Sequence, residues 1–140
     1  LITLYGINSR PNFVKTMIDN LKNEEEFLGI NDQVQNPLFV DTAAKGIIFI
    51  RRNKFSGIYH LGGLDYETNY NFLVKIANKF NLDSKLIKKT SFIEFTRSKR
   101  GHRKKKSVLV CNKFVKVSEN KILKTLDESI EIFYKSMKIS

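Results

Sequence analysis

The chain has 140 residues, of which 41% are hydrophobic and 11% aromatic, enough for one packed domain of ordinary size. Its single cysteine, Cys111, excludes a disulfide scaffold and a zinc site made of four cysteines, and it favours a reducing, cytoplasmic location. No apolar run approaches the ~18 residues that a membrane-spanning helix needs. We therefore expect a soluble globular domain with no membrane contact.

The positive charge of the chain is concentrated in one segment. The formal net charge is +11. Residues 80–116 contain twelve lysines and arginines and only two acidic residues, Asp83 and Glu94, which gives this segment a net charge of +10. The densest part predicts a basic loop at about residues 97–106. Such a loop either stays solvated or binds an anion, which would be a nucleic acid or a phosphorylated small ligand. We expect at least weak, non-specific binding of polyanions.

The first half of the chain predicts two helices among short strands. Residues 1–5 are typical of a strand rather than a signal peptide, and because the chain starts at Leu1 we expect a piece of a longer protein. Apolar residues at three- and four-residue steps then predict a helix from Phe13 to near Glu26, with Asn12 placed to cap it. A strand is expected over 27–30 and a polar loop over 31–37. The next helix, capped by Asp41, should bury Ala43, Ala44, Ile47, Ile48 and Ile50.

The second half predicts two more helices. A strand over 57–61, with Tyr59 and His60 on opposite faces, ends at two glycines. Thr68 then caps a helix that turns Phe72, Leu73, Ile76, Ala77 and Phe80 inward. Strands or extended pieces are expected over 91–95 and 108–110, and an amphipathic helix over about 119–138. The buried stripe of that last helix is Ile122, Leu123, Leu126, Ile130, Phe133 and Met137.

The alternation of strands and helices predicts an α/β fold with a parallel sheet. The first strand and the strand at residue 57 are the candidates for its centre. Two such strands are too few for a complete doubly wound sheet. The chain is therefore expected to be the second half of a doubly wound enzyme, residues 1–140 forming a single portion, with the first half absent.

Five segments resemble, in order, the C-terminal half of the dTDP-4-dehydrorhamnose reductase group within the extended short-chain dehydrogenase/reductase superfamily. They are Tyr5-Gly6, Asn12-Phe13-Val14, the Asp-Gln…Asn-Pro…Val-Asp stretch at 32–41, the Gly-Ile-Tyr-His strand near 57–60 with Tyr70 and Phe72 after it, and the spacing of Arg103, Ser107, Leu109, Lys113 and Phe114. The chain departs from the pattern at Lys104, Lys106 and Thr42, where proline, asparagine and a second acid are usual.

The resemblance implies the C-terminal part of a Rossmann-like fold whose N-terminal, dinucleotide-binding part is absent. The full-length parent would be an NAD(P)-dependent oxidoreductase that uses NADPH or NADH to reduce a 4-keto nucleotide sugar. The family's glycine-rich loop and its Tyr-x-x-x-Lys catalytic pair precede this region. This fragment is therefore expected to be inactive alone, to bind no cofactor and to hold no catalytic residue. With two histidines and one cysteine, we expect no metal site.

Three residues are candidates for substrate binding. Arg103 could hold the diphosphate through its planar guanidinium, or stay solvated among its basic neighbours. Gln33 lies in the stretch that the resemblance places beside the substrate, as a direct contact or as a residue that orders the loop. Asn12 could cap its helix or reach a sugar hydroxyl.

Two other functions remain open at this level. A non-catalytic regulatory or interaction subunit of the same family would resemble the β-subunit of methionine adenosyltransferase. A basic nucleic-acid-binding domain is less favoured, because Phe92, Phe95 and Phe114 are not interleaved with the basic cluster as a stacking platform would require. The expected partners are a nucleotide sugar and the absent N-terminal half, with a homodimer left open.

Overall fold

The computed structural model describes residues 3–6, 12–97 and 104–139. Within these ranges, short strands alternate with helices. The strands are β1 (Leu4–Tyr5), β2 (Phe27–Ile30), β3 (Val34–Gln35), β4 (Leu38–Phe39), β5 (Glu67–Thr68), β6 (Ile87–Thr90) and β7 (Lys106–Ser107). The helices are α1 (Phe13–Lys22), α2 (Val40–Arg52), α3 (Asn69–Lys79), α4 (Phe92–Arg97), α5 (Asn112–Val117) and α6 (Leu126–Ile139), with a 3₁₀ turn at Ser84–Leu86.

The strands form three small sheets in which parallel pairing predominates. β1 pairs with β4 and β2 with β6, both in parallel. In the third sheet β3 is the middle strand, antiparallel to β5 and parallel to β7. The predicted α/β class with parallel strands is confirmed. The predicted centre is wrong, because β1 pairs with β4 and not with residues 57–61.

Residues 57–61 form no strand. Gly57 has a φ of +95°, which lies outside the strand region, and Ile58 is 80% exposed. The Tyr59 ring packs beside that of Phe55, and the Lys113 ammonium lies 4.2 Å from the Tyr59 ring centroid. Side-chain packing therefore holds this segment in place without strand pairing. Tyr59 is half-buried and His60 is exposed.

Strand β4 lies between two hydrophobic clusters. Successive strand residues point to opposite faces, so Leu38 belongs to one cluster and Phe39 to the other. The cluster around Leu38 includes Cys111, a buried thiol whose pKa is raised by desolvation. It behaves as the small buried hydrophobe that its neighbours predict.

The larger cluster is held together by aromatic rings. The Tyr5 ring lies 5.2 Å from that of Phe72 and 5.6 Å from that of Phe133, both edge to face. Burial raises the pKa of the Tyr5 hydroxyl. The buried faces of α1, α3 and α6 belong to the same cluster, and the Tyr5 ring contacts α3 and α6 directly.

Helices α1 and α3 follow their predicted apolar patterns. α1 buries Val14, Met17, Ile18 and Leu21. It ends at Lys22 rather than near Glu26, because Glu24 has a φ of +59° and the chain turns toward β2. α3 begins after Thr68, whose hydroxyl accepts a hydrogen bond from the Asn71 amide at 3.2 Å. That cap was predicted and is confirmed.

Helix α2 differs from its prediction in start and in face. It begins at Val40 after Phe39, and Asp41 lies in the first turn without forming a side-chain cap bond. Its buried residues are Thr42, Ala43 and Gly46, whereas Ala44, Ile47 and Ile48 are exposed. Gly46 decides this orientation, since a Cβ there would lie 3.1 Å from Leu61 Cδ1 and 3.4 Å from Phe114 Cζ. Ile47 and Ile48 lie on the exposed side of the helix, whereas Ala43 is buried and Ile50 half-buried against the cluster around Leu38, as predicted.

Residues 91–95, predicted as a strand, form the start of α4. The strand lies just before them, at β6. The Ser91 hydroxyl accepts from the Glu94 amide at 3.2 Å, and the Ser91 amide donates to the Glu94 carboxylate at 3.1 Å. This reciprocal pair is a capping box. The hydrogen bond from the Ser91 amide to the Glu94 carboxylate, and then the Ser91 side chain, hold the pKa of Glu94 below its usual value.

Two short strands fall beside or inside predicted segments. β3 lies within the expected loop at 31–37. β7 precedes the expected extended piece at 108–110. Strands of two residues carry too little periodicity to be found from sequence, and here they exist because β3 is paired on both sides.

The C-terminal helix begins at Leu126 rather than near residue 119. Glu119 and Asn120 have φ values of 51° and 55°, which a continuing right-handed helix does not allow. The Thr125 hydroxyl accepts from the Glu128 amide at 3.3 Å, and the Thr125 amide donates to the Glu128 carboxylate at 2.8 Å. A second capping box therefore sets the start of α6.

Among the described residues, no helix combines the length and the apolar character that crossing a membrane would require.

The buried amide of Asn36 joins three separate segments of the chain. Its Nδ2 donates to the carbonyls of Gly63 and Leu109, both at 2.9 Å, and its Oδ1 accepts from the Leu109 amide at 3.0 Å. Gly62 is required beside it, because a Cβ there would lie 2.7 Å from Nδ2. Asn36 thus fixes residues 62–63 and 109 against the link between β3 and β4.

We predict that Asn36→Ala lowers the free energy of unfolding by about 2–4 kcal/mol, because it leaves buried backbone groups unpaired. Chemical denaturation measures this. The control is Asn53→Ala, which removes an exposed amide that donates to the Phe49 carbonyl and should cost under ~1 kcal/mol. Equal losses from the two variants would contradict a special role for Asn36.

Candidate functional site

A cleft of about 360 Å³ opens beside strand β3. Gln33 and Gln35 lie two residues apart at this strand, so their side chains share one face, and both line the cleft. The cleft is also lined by Thr3, Phe13, Phe27, Leu28, Ile30, Asn69, Phe95, Lys104 and Ser107. Its walls therefore combine aromatic and aliphatic side chains with amides, a hydroxyl and a cation.

The polar side of the cleft is built by the third sheet. The Gln33 carbonyl accepts from the Asn69 amide at 2.8 Å, and Asn69 Oδ1 accepts from the Ile30 amide at 2.9 Å. Asn69 begins α3 directly after the Thr68 cap. One amide side chain thus joins the end of β2 to the start of α3 at the wall of the cleft.

The basic segment is attached to the same sheet. Gln33 Nε2 donates to the Lys104 carbonyl at 3.1 Å, and the Val34 amide donates to the Lys105 carbonyl at 3.0 Å. β7 then continues in register, with Gln35 opposite Ser107. The residues after 103 are therefore held against the cleft by backbone pairing, and Lys104 brings a positive charge to its lining.

Asp32 links two walls of the cleft. One carboxylate oxygen lies 2.8 Å from the Lys105 ammonium, and the other accepts from the Phe92 amide at 2.6 Å, at the start of α4. α4 carries Phe95, which lines the cleft. The Lys105 ammonium, and then the Phe92 amide, hold the pKa of Asp32 below its usual value.

The three candidate residues have different positions. Asn12 caps α1, with Oδ1 accepting from the Lys15 amide at 3.1 Å and Nδ2 donating to the Gly6 carbonyl at 2.9 Å; it does not line the cleft. Gln33 lines the cleft and also orders the basic segment, so both of its predicted roles are compatible with the geometry. Arg103 lies outside the described residues, as do residues 98–102 of the predicted basic loop.

Sequence reasoning did not single out Gln35 and Asn69, which line the cleft. It named Ser107 and Lys104 only as part of the family resemblance and of the basic loop, and not as substrate-binding residues. A signal existed for Gln35, since Gln-Val-Gln alternates in the manner of a strand with two amides on one face. No local pattern indicates Asn69, because its role depends on β2 lying beside α3.

Gly62 and Gly63 do not fit a dinucleotide cradle. A Cβ on Gly62 would meet the Asn36 amide, and one on Gly63 would lie 2.9 Å from Leu126 Cδ2 and 3.1 Å from the Pro37 carbonyl. These glycines serve close packing and no helix starts at them, whereas a pyrophosphate loop leads directly into a helix N-terminus. Within the described ranges, no group of histidine, cysteine and acidic side chains could hold a metal ion.

We predict that the Asp32 carboxyl titrates below its usual value of 3.8. Because the folded pKa is lowered, the stabilisation from this group is fully present above the unfolded value and is lost as the pH falls through the folded one. NMR of the carboxyl carbon measures the midpoint.

Lys105→Met should raise the Asp32 midpoint toward the usual value without restoring it fully, because the Phe92 amide still donates. Lys121→Met, which removes a cation paired with Glu119, serves as the control and should leave the midpoint unchanged. A normal midpoint in the unaltered chain would show that Asp32 does not link the two walls.

Comparison with known proteins gives a family and a fold. The RmlD substrate binding domain matches residues 2–138, whereas no curated protein matches the chain significantly in sequence. A dTDP-4-dehydrorhamnose reductase from Bacillus anthracis, solved in complex with NADP, is 26% identical, with a TM-score of 0.82 over 95% of this chain and 46% of that chain. A dTDP-4-dehydrorhamnose reductase from Clostridium acetobutylicum is 28% identical, with a TM-score of 0.80 over 96% of this chain and 46% of that chain.

The fold extends to more distant enzymes. A dTDP-glucose 4,6-dehydratase from Bacillus anthracis, solved with NAD, shares 15% identity and a TM-score of 0.75 over 99% of this chain and 43% of that chain. The predicted Rossmann-like fold of the extended short-chain dehydrogenase/reductase type is thus confirmed, and the chain spans under half the length of these structures. With a family match over nearly all of its residues, the chain belongs to the RmlD substrate binding domain family.

Proposed function

We propose that this chain binds the nucleotide-sugar substrate of an NAD(P)H-dependent reductase that acts on a 4-keto nucleotide sugar. The observation that carries the proposal is the cleft beside β3, which combines aromatic walls, buried amides and a basic side. Its volume of about 360 Å³ lies within the ~300–1,000 Å³ usual for small-molecule sites. Membership of the RmlD substrate binding domain family supports the same assignment.

The lining suits the separate parts of such a ligand. Phe13, Phe27 and Phe95 offer flat apolar surface for a base or for the apolar face of a sugar. The amides at Gln33 and Asn69 can exchange hydrogen bonds with carbonyl and hydroxyl groups. Lys104 supplies positive charge for a diphosphate, which it would attract as a point charge.

Arg103 is proposed as the main diphosphate ligand. The resemblance places it at the family's arginine position, and its guanidinium offers a planar fork that matches phosphate oxygens. It directly precedes Lys104, whose carbonyl is fixed by Gln33. The proposal is compatible with the cleft because Arg103 is bonded directly to Lys104, which lines it.

Hydride transfer is assigned to the part of the reductase that this chain does not span. The relative from Bacillus anthracis was solved with NADP, and this chain covers 46% of it. The glycines described above are packed against side chains and carbonyls and offer no cradle for a pyrophosphate. We therefore assign substrate binding and orientation to this chain, and expect no reduction by the chain alone.

We predict that the 140-residue chain binds dTDP and does not bind NADPH. Calorimetry should give saturable heat with dTDP, because the amides and the basic side are present, and none with NADPH. Inorganic sulfate at the same ionic strength controls for general charge attraction. Saturable micromolar binding of NADPH, or no difference between dTDP and sulfate, would contradict the proposal.

We predict further that Arg103→Ala weakens dTDP binding about ten- to hundredfold, which corresponds to the ~1.5–3 kcal/mol of a hydrogen bond to a charged group. Lys106→Ala removes an exposed charge from the adjacent strand and is the matched control, expected to change the affinity less than about threefold. If both variants behave alike, Arg103 is a solvated residue of a basic segment and not a diphosphate ligand.

A further inference from the structure

The side chain of Gln35 is buried at the cleft, and its amide nitrogen has no partner among the residues that the structure describes. The residue is 4% exposed, and Nε2 forms no hydrogen bond within residues 3–6, 12–97 and 104–139. Buried polar groups in folded proteins are nearly always paired, and an unpaired donor lowers stability. A group of this kind in the wall of a cleft requires an explanation.

Each of the neighbouring amides already makes at least one hydrogen bond within the protein. Gln33 donates to the Lys104 carbonyl, and Asn69 accepts from the Ile30 amide. Asn36 makes three side-chain bonds. The side chains of Gln33 and Gln35 share one face of β3, yet the first orders the basic segment while the second leaves a donor unused.

The backbone around Gln35 is fixed on both sides. It is the last residue of β3, and it is registered opposite Glu67 of β5 and Ser107 of β7. Asn36 follows it and is itself held by its buried bonds. Rotation of the terminal amide about its last side-chain torsion, which is broad for glutamine, can therefore turn the nitrogen toward the cleft without moving the strand.

We propose that the Gln35 amide is a ligand-binding donor whose partner is an oxygen of the bound nucleotide. This inference rests on the proposed function, since it assigns one contact within the same cleft. The acceptor is either a diphosphate oxygen or a carbonyl or hydroxyl oxygen of the nucleoside. Binding would not have to break an existing bond of this donor, because no described residue pairs with it.

The test compares Gln35→Met with the unaltered chain. Methionine has a similar length and fills the space without a donor, so the melting temperature should stay the same or rise, since an unpaired buried group is removed. The affinity for dTDP should fall about five- to tenfold by calorimetry. Titrations with thymidine and with pyrophosphate then show which part of the nucleotide supplies the oxygen. The compound that binds more weakly to Gln35→Met than to the unaltered chain contains the acceptor.

Gln33→Met is the matched control, because it removes an amide two residues before Gln35 that lines the same cleft. It should lower the melting temperature, since the Lys104 carbonyl loses its donor. Two results from Gln35→Met would overturn the inference: an unchanged affinity for dTDP, or a clear loss of stability, which would show that the amide is already paired in the free protein.

A measurement on the unaltered chain separates this inference from the proposed function. The side-chain amide signals of Gln35 in an ¹⁵N NMR spectrum, assigned by their loss in Gln35→Met, should shift when dTDP, thymidine or pyrophosphate is added. If calorimetry shows no dTDP binding, the proposed function fails, while a saturable shift with thymidine or pyrophosphate would still support Gln35 as a donor. If none of the three compounds shifts the Gln35 signals, the inference is overturned.

Discussion

The arrangement of this chain depends on one buried amide, that of Asn36. Its three side-chain bonds reach Gly63 and Leu109, which are far apart in sequence. A side-chain amide can pair with a donor and an acceptor at once. Asn36 therefore supplies hydrogen bonds to the backbone at Gly63 and Leu109, which lie in segments that form no strand. Because Asn36 lies between β3 and β4, it also sets how the cleft side of the molecule joins the hydrophobic clusters.

The cleft is the consequence of pairing the middle strand on both edges. β5 and β7 hold β3 in place, and this puts Gln33, Gln35 and Ser107 in one wall. The basic segment then joins the wall by backbone bonds, and Asp32 balances one of its charges by pairing with Lys105. A segment with a large excess of positive charge would otherwise stay extended by self-repulsion. Because the segment is held at the cleft, Lys104 places a positive charge beside the aromatic and amide groups of the lining.

Much of the helical structure could be predicted because its causes are local. The stripes of α1 and α3 repeat at the helical period, and Thr68 caps as its side-chain chemistry favours. The start of α4 was also encoded locally, in the Ser91 and Glu94 capping box, but the apolar residues after Ser91 were interpreted as a strand. The family was recognised from motifs spread along the chain, and Gln33 was singled out in one of them.

The sequence by itself thus determined the α/β class, the core-facing stripes of two helices and the location of the charge, since these follow from composition and short-range periodicity. It also indicated the family, through the resemblance of motifs spread along the chain. Only the tertiary structure decided that residues 57–61 form no strand, because a strand exists only when a partner supplies its hydrogen bonds. It also decided which face of α2 is buried, since the close approach of Leu61 and Phe114 to Gly46 outweighs the apolar character of Ile47 and Ile48. The unpaired donor of Gln35 belongs to the same class: whether a buried amide finds a partner depends on residues from distant segments, and no local pattern records it.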